Sequence, residues 1–223
     1  MYGVAGIILV VISYMIYIQN QSKEVEGTVV SKKTMSFFIT SSNPGKGANL
    51  GGLSGADAYC KTLAEASGVT NKTWAAYLST ASQNGVPGIN AKDRIGSGPW
   101  YNSQGQLIAT NLKELHMNNM LNKQTALNEK GEVVSGRGDK VNVHDILTGS
   151  DSAGLLVATT TDTTCSNWTS GDVGSAYVGH HDRIGINDSS AMKSWNSSHL
   201  TRGCSLPALT QTGGAGLFYC FAK

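Results

Sequence analysis

The residues best equipped for chemistry stand together in "VGHHDRIG", residues 178–185. His180, His181, Asp182 and Arg183 offer two imidazoles, a carboxylate and a guanidinium side by side. Imidazole and carboxylate are zinc ligands, and a His–Asp pair facing a pocket can do acid–base work. Local geometry decides between these uses. On a strand, His180 and Asp182 face one side while His181 and Arg183 face the other. Neighbouring histidines then cannot hold one ion without a bulge. The stretch is therefore read as hydrogen-bonded framework, and no metal or cofactor is assigned to the chain. No G-x-S-x-G nucleophile motif occurs in the sequence, so a non-catalytic protein is expected. An exported enzyme using His180, Asp182 or His199 is the alternative.

"DRIG" recurs at residues 93–96, and both copies run on to a tryptophan, Trp100 and Trp195. An Asp-Arg corner can fix a loop through charged hydrogen bonds to backbone. Alternatively Arg94, Trp100, Arg183 and Trp195 line one polar-aromatic surface, made of the side-chain types that anchor ligands. His181, Asn196, His199 and Arg202 complete this candidate ligand-binding set, Asn196 and His199 because they lie in loop-like sequence. Trp168 in "SNWTS" is assigned to the core. "GRGDK" contains Arg137-Gly138-Asp139, and its glycines explain it as a tight turn. Asp139, Asn142 and Asp145 could gather around a cation, although their spacing fits no EF-hand.

The elements that must position these groups are legible in outline. Residues 34–41, "TMSFFITS", read as a first strand, followed by a turn-rich loop. "SGADAYCKTLAEASG" is the clearest helix. Ser54 is its expected N-cap, with Asp57 at the capping-box position. Ala56, Cys60, Leu63 and Ala64 form its apolar face, and Gly68 stops it. "KTWAAYLST" reads as a strand or a short helix edge, "ATNLKELHMNNMLN" as irregular or helical, and "ALNEKGEVV" as a hairpin. The last run, "AGLFYCFA", is apolar on both alternating faces and so belongs at the centre of a sheet.

The net charge of +2 gives no electrostatic reason to expect nucleic acid. Four cysteines, Cys60, Cys165, Cys204 and Cys220, contain no C-x-x-C pair. An even count after an export-like start reads as two disulfides, in any of three pairings. Residues 2–18 carry no charge; as a helix they would run ~26 Å, slightly short of a ~30 Å hydrocarbon core. The expected organisation is an anchor or signal segment at 1–20, a polar stalk at 21–33 and one domain at 34–223. An uncleaved membrane anchor is favoured over a signal peptide, since no good cleavage site follows. Lys23, Lys32 and Lys33 would keep the far side in the cytoplasm by the positive-inside rule. The cysteines outweigh this, so the domain is expected outside, at the cell surface or in a periplasm, or secreted if the segment is cut.

"LSGADAYCKTLAEASGVTNKTWAAYLST", "INAKDRIGSGPWYN", "HDILTGSDSAG" with "TCSNWTS", and "RGCS" with "GLFYCF" occur here in that order. Together they resemble the endostatin-like branch of the C-type lectin fold, in the form common among exported bacterial proteins. The likeness covers about residue 35 to the end. It implies an α+β domain with two nested disulfides, Cys60–Cys220 and Cys165–Cys204, and a Cys-x-x-Trp strand around Trp168. It also implies non-catalytic recognition of a glycan or an extracellular protein, since related spirochaete proteins bind host matrix and complement proteins. The calcium loop of sugar-binding relatives, Glu/Gln-Pro-Asn, is absent from this sequence. Trp195-Asn196-Ser197 is the nearest counterpart to their Trp-Asn-Asp, and Ser197 lacks the carboxylate that calcium needs. Mammalian endostatin holds zinc through histidines at its extreme N-terminus, and no matching histidines precede the domain here. A structural surface protein that assembles through its N-terminal helix is a third alternative.

Overall fold

The computed structural model describes residues 3–223, with 3–9 and 25–33 described by backbone alone. In chain order it contains α1 (Gly3–Thr34), β1 (Phe37–Ile39), α2 (Gly52–Ala66), β2 (Trp74–Ala76), a 3-10 turn (Ala91–Arg94), β3 (Trp100–Tyr101), β4 (Leu107–Ala109) and α3 (Leu112–Met117). There follow β5 (Asp145–Leu147), α4 (Cys165–Trp168), β6 (Tyr177–His180), β7 (His199–Leu200), α5 (Leu206–Thr210) and β8 (Gly214–Ala222). The architecture is mixed α+β with two disulfides.

The C-terminal apolar run organises it. β8 pairs with β1 and β2 antiparallel and with β5 in parallel. The sheet then continues through β6 to β7, both pairings antiparallel. Side chains of a strand alternate between faces, and β8 buries both sets. Phe218, Cys220 and Ala222 join α2, Trp74, Leu147 and Trp168 in one core cluster. Leu217, Tyr219 and Phe221 join Phe37, Tyr77, Ile146, Trp100 and Trp195 in the other. A central strand was expected from the sequence for this reason.

α2 lays its expected apolar face, Ala56, Cys60 and Ala64, against the sheet. Cys60 bonds to Cys220 of β8, and Cys165 to Cys204. The entry to α2 differs from expectation. Gly51, at φ 76°, occupies the N-cap without a side-chain cap, and Ser54 lies inside the helix. Asp57 turns away from the helix end, to the Ala76 amide at 2.8 Å and to Arg94. Residues 165–168 are also not a strand. α4 is a single left-handed turn, with φ of 48°, 54°, 56° and 66° along Cys165, Ser166, Asn167 and Trp168. It begins where the Thr164 hydroxyl accepts from the Asn167 amide.

α1 runs through the segment expected to be a stalk and stops at Thr34. Lys72 closes its end, donating to the carbonyls of Thr34 and Met35 at 3.1 and 2.8 Å. A cation there suits the negative end of the helix dipole. Of the expected anchor at 2–18, Tyr2 lies outside the described residues and 3–9 are described by backbone alone. Among the described residues no helix is long and apolar enough to cross a membrane.

Candidate functional site

Strand pairing brings together side chains that are far apart in the sequence. Asp145 opens β5 and stands directly opposite His180, the last residue of β6. Val178 of β6 stands opposite His199, the first residue of β7. Val178 and His180 are two apart, so Asp145, His180 and His199 share one face of the ladder. His144 precedes β5, where the register against β8 shifts between Asp145 and Ile146. Such an irregularity re-aims a side chain, and the His144 ring stacks on that of His180 with centroids 4.1 Å apart.

Three of the five histidines of the chain thus converge on one carboxylate. The Nε2 atoms of His144, His180 and His199 lie 3.3, 3.3 and 3.5 Å from Asp145 Oδ1. His180 Nε2 and His199 Nε2 are 3.0 Å apart. The Asp145, His144 and His180 side chains are 1–2% exposed, and His199, at 27%, forms the outer wall. Despite this crowding, neither oxygen of Asp145 makes a hydrogen bond of good geometry. Burial alone would raise its carboxyl, but the contacts with His180 and His199 outweigh that and hold it at about 2. Its charge in turn raises His199 above the ordinary imidazole value.

A second layer orients the rings. His144 Nδ1 lies 3.2 Å from Asp182 Oδ1. His180 Nδ1 lies 2.8 Å from the Met192 carbonyl, and His199 Nδ1 3.1 Å from that of Leu200. Each acceptor is a carbonyl or a carboxylate, so each Nδ1 carries the proton. Asp182 is itself pinned by the amides of Arg137 and Ile184 at 2.7 and 3.0 Å. Burial tends to raise its carboxyl, and His144 with these amides brings it down to about 2.

The expected ligand-binding set does not assemble. Trp100 is 1% exposed and donates its indole N–H to the Ala222 carbonyl at 3.1 Å. Trp195 is 3% exposed, its ring between those of Tyr77 and Tyr219. Arg94 is buried, its Nη2 donating to both oxygens of Asp57 at 2.8 Å and its Nη1 to the Ala76 carbonyl. These three therefore present no surface to a ligand. Asn196 is buried as well, donating to Tyr77 Oη and to the Asp151 carbonyl at 3.0 Å. His181 is fully buried with Nε2 3.2 Å from the Ser135 carbonyl, and burial lowers its pKa to about 4. Arg183, in the left-handed region at φ 56°, ties its loop to the carbonyls of Leu121 and Lys193. Both "DRIG" arginines are thus loop-fixing corners. Of the set, His199 is half-exposed and Arg202 is exposed. His180 and His181 part as strand alternation requires. His180 nevertheless reaches a carboxylate, because its partners come from other strands.

His144 and Asp145 are the members that sequence reasoning missed in this role. Asp145 was grouped with Asp139 and Asn142, but Asp139 pairs with Lys123 at 2.6 Å and closes the tight turn with Gly136. The available signal was a His-Asp dipeptide leading directly into an apolar strand, "HDIL". Such a dipeptide places ionisable groups at the buried end of a sheet. Neither a protein-family model nor a curated protein matches this chain.

Proposed function

We propose that residues 34–223 form an endostatin-like, C-type lectin-like domain that acts as a non-catalytic recognition module for an extracellular protein. Two observations support the fold assignment. α2 is tied to the last, central strand, β8, by Cys60–Cys220, and a second disulfide, Cys165–Cys204, lies within that span. Two cystines also favour an oxidising compartment. The side chains of residues 10–18 of α1 are exposed and largely apolar, which supports a role for that segment in anchoring.

The observation that carries the recognition reading is the connection between β6 and β7, within the inner disulfide. Arg183, Ile184, Gly185, Ile186, Asn187, Asp188 and Lys193 line an open cavity of about 380 Å³ there. Ile184 and Ile186 are 45% and 76% exposed, beside an exposed Lys193–Asp188 pair at 2.7 Å. Exposed aliphatic residues rimmed by charge mark protein contacts. A glycan is less well served, because all four tryptophans, the best stacking platforms, are buried. The reading requires no calcium.

The test is an array of extracellular-matrix proteins and glycans, probed with the full chain in EGTA. Binding to a protein that is lost at least ten-fold in the double variant Ile184→Asp/Ile186→Asp is the expected result. Binding to glycans alone, or protein binding indifferent to that variant, would overturn the proposal.

A further inference from the structure

We infer that His144, Asp145, His180 and His199 form a binding site for one divalent transition-metal ion of the zinc class. The inference is independent of the recognition reading and uses none of the residues of the β6–β7 cavity.

The donors are spaced as a tetrahedral ion requires. Ligands about 2.0–2.1 Å from a tetrahedral zinc stand about 3.3 Å from one another. Asp145 Oδ1, His180 Nε2 and His199 Nε2 form a triangle with edges of 3.3, 3.5 and 3.0 Å. His144 Nε2 adds a fourth donor 3.3 Å from the same oxygen. Ligand atoms of His144, Asp145 and His180 all lie within 4.8 Å of one another, and His199, on the open side, stands outside that group and joins it through Asp145 and His180. Three imidazoles and one carboxylate are a zinc donor set, whereas calcium and magnesium take oxygen.

Each of the three Nδ1 atoms faces an oxygen acceptor, so a neutral ring turns its Nε2 lone pair toward Asp145. Three Nε2 atoms thus crowd one oxygen of a buried carboxylate that makes no hydrogen bond. Such an arrangement is repulsive unless a cation lies among them. The outer contacts follow the pattern of metal centres, in which a carboxylate or a backbone carbonyl holds the far nitrogen of each histidine. Asp182 plays that part for His144, while Met192 and Leu200 do so for the other two. Gly213 closes the inner side, where an added Cβ would come within 3.2 Å of His144 Nε2. His199, as the exposed member, marks the entry.

The full chain, stripped with a strong chelator and titrated with Zn²⁺ alone in a calorimeter, should take up one equivalent. Co²⁺ should give the visible d–d bands of a tetrahedral centre. X-ray absorption of the zinc-loaded wild type should count three imidazoles, a readout that needs no variant to fold. His199→Ala and Asp145→Asn should each lose affinity about 100-fold or more, and Asp182→Asn about 10- to 100-fold. His116→Gln, outside the cluster, should bind as the wild type does. Absence of stoichiometric zinc uptake by the wild type would overturn the inference. So would a spectrum without histidine ligands, or a His199→Ala protein that binds as tightly as the wild type.

Discussion

His116 shows how much of this protein's polar chemistry is internal support. Its Nδ1 donates to the Leu112 carbonyl at 2.8 Å, which leaves Nε2 to accept from Tyr77 Oη at 2.8 Å. Tyr77 in turn accepts from Asn196. Burial lowers the His116 pKa first, with the Leu112 carbonyl opposing, Lys92 lowering it further and Asp151 raising it. The fold therefore prefers the neutral ring. As pH falls below the free value of about 6.5, the unfolded chain takes up the proton before the folded one does. Stability held by this contact is present above that pH and declines as pH drops toward the lowered native value. Urea unfolding of wild type and His116→Gln, compared between about pH 7.5 and pH 5, should show the wild type losing ground on acidification. A difference independent of pH in that window would contradict this account.

Arg94 makes the same point for a whole element. Its guanidinium lies where α2, β2 and the 3-10 turn meet, with Nη2 on both oxygens of Asp57 and Nη1 on the Ala76 carbonyl. The Arg94 side chain is 8% exposed and that of Asp57 29%. Arg94→Met would leave a half-buried carboxylate and a strand-end carbonyl with a lost donor. The expected loss is about 2–3 kcal/mol, below the full cost for a deeply buried pair because Asp57 keeps some water. Asp57→Asn, which still can accept from the Ala76 amide, should cost less, and equal losses in chemical unfolding would refute the ranking. Asp57 was read as a helix-capping residue because local spacing allowed it. Its true partner lies 37 residues away, beyond the reach of any local rule. By contrast, α2 and β8 were legible because periodicity is itself local. The apolar face of α2 recurs every three or four residues, and β8 is apolar in both phases. The His–Asp cluster was illegible for the converse reason. His180 and His199 are 19 residues apart and His144 and Asp182 are 38 apart, and only antiparallel pairing aligns them. The adjacent histidines of "GHHDR" are neighbours in sequence alone, and the strand separates them.

At the scale of the molecule, two cystines hold together a domain made of short strands and long connections. Their pairing could not be read from four cysteines alone; it followed from the likeness in segment order, and the structure has the nested pairing. Cys60–Cys220 closes a loop of 160 residues and fixes α2 to the sheet. Cys165–Cys204 closes 39 residues and gathers the left-handed turn at α4 against the segment before α5. The chain-entropy account assigns these loops about 5 and about 4 kcal/mol. That difference is small, and burial adds to it in a specific way. All four cysteines are fully buried, but Cys60 and Cys220 lie within regular elements that carry the main core. Replacing them by alanine removes packed sulfur from a site that cannot collapse without moving α2 or β8. The turn around Cys165 is held in addition by the Trp168 indole, which donates to the Ser79 carbonyl at 2.7 Å, and by the Leu50 amide on the Trp168 carbonyl. Cys60→Ala/Cys220→Ala should therefore lower unfolding stability more than Cys165→Ala/Cys204→Ala. The inner pair should cost at most about 4 kcal/mol and leave the cooperativity of the transition unchanged. Denaturant unfolding of the two double variants, with midpoint and slope measured together, decides this. A larger loss for the inner pair would mean that the β6–β7 region, rather than the α2–β8 junction, limits the stability of the domain.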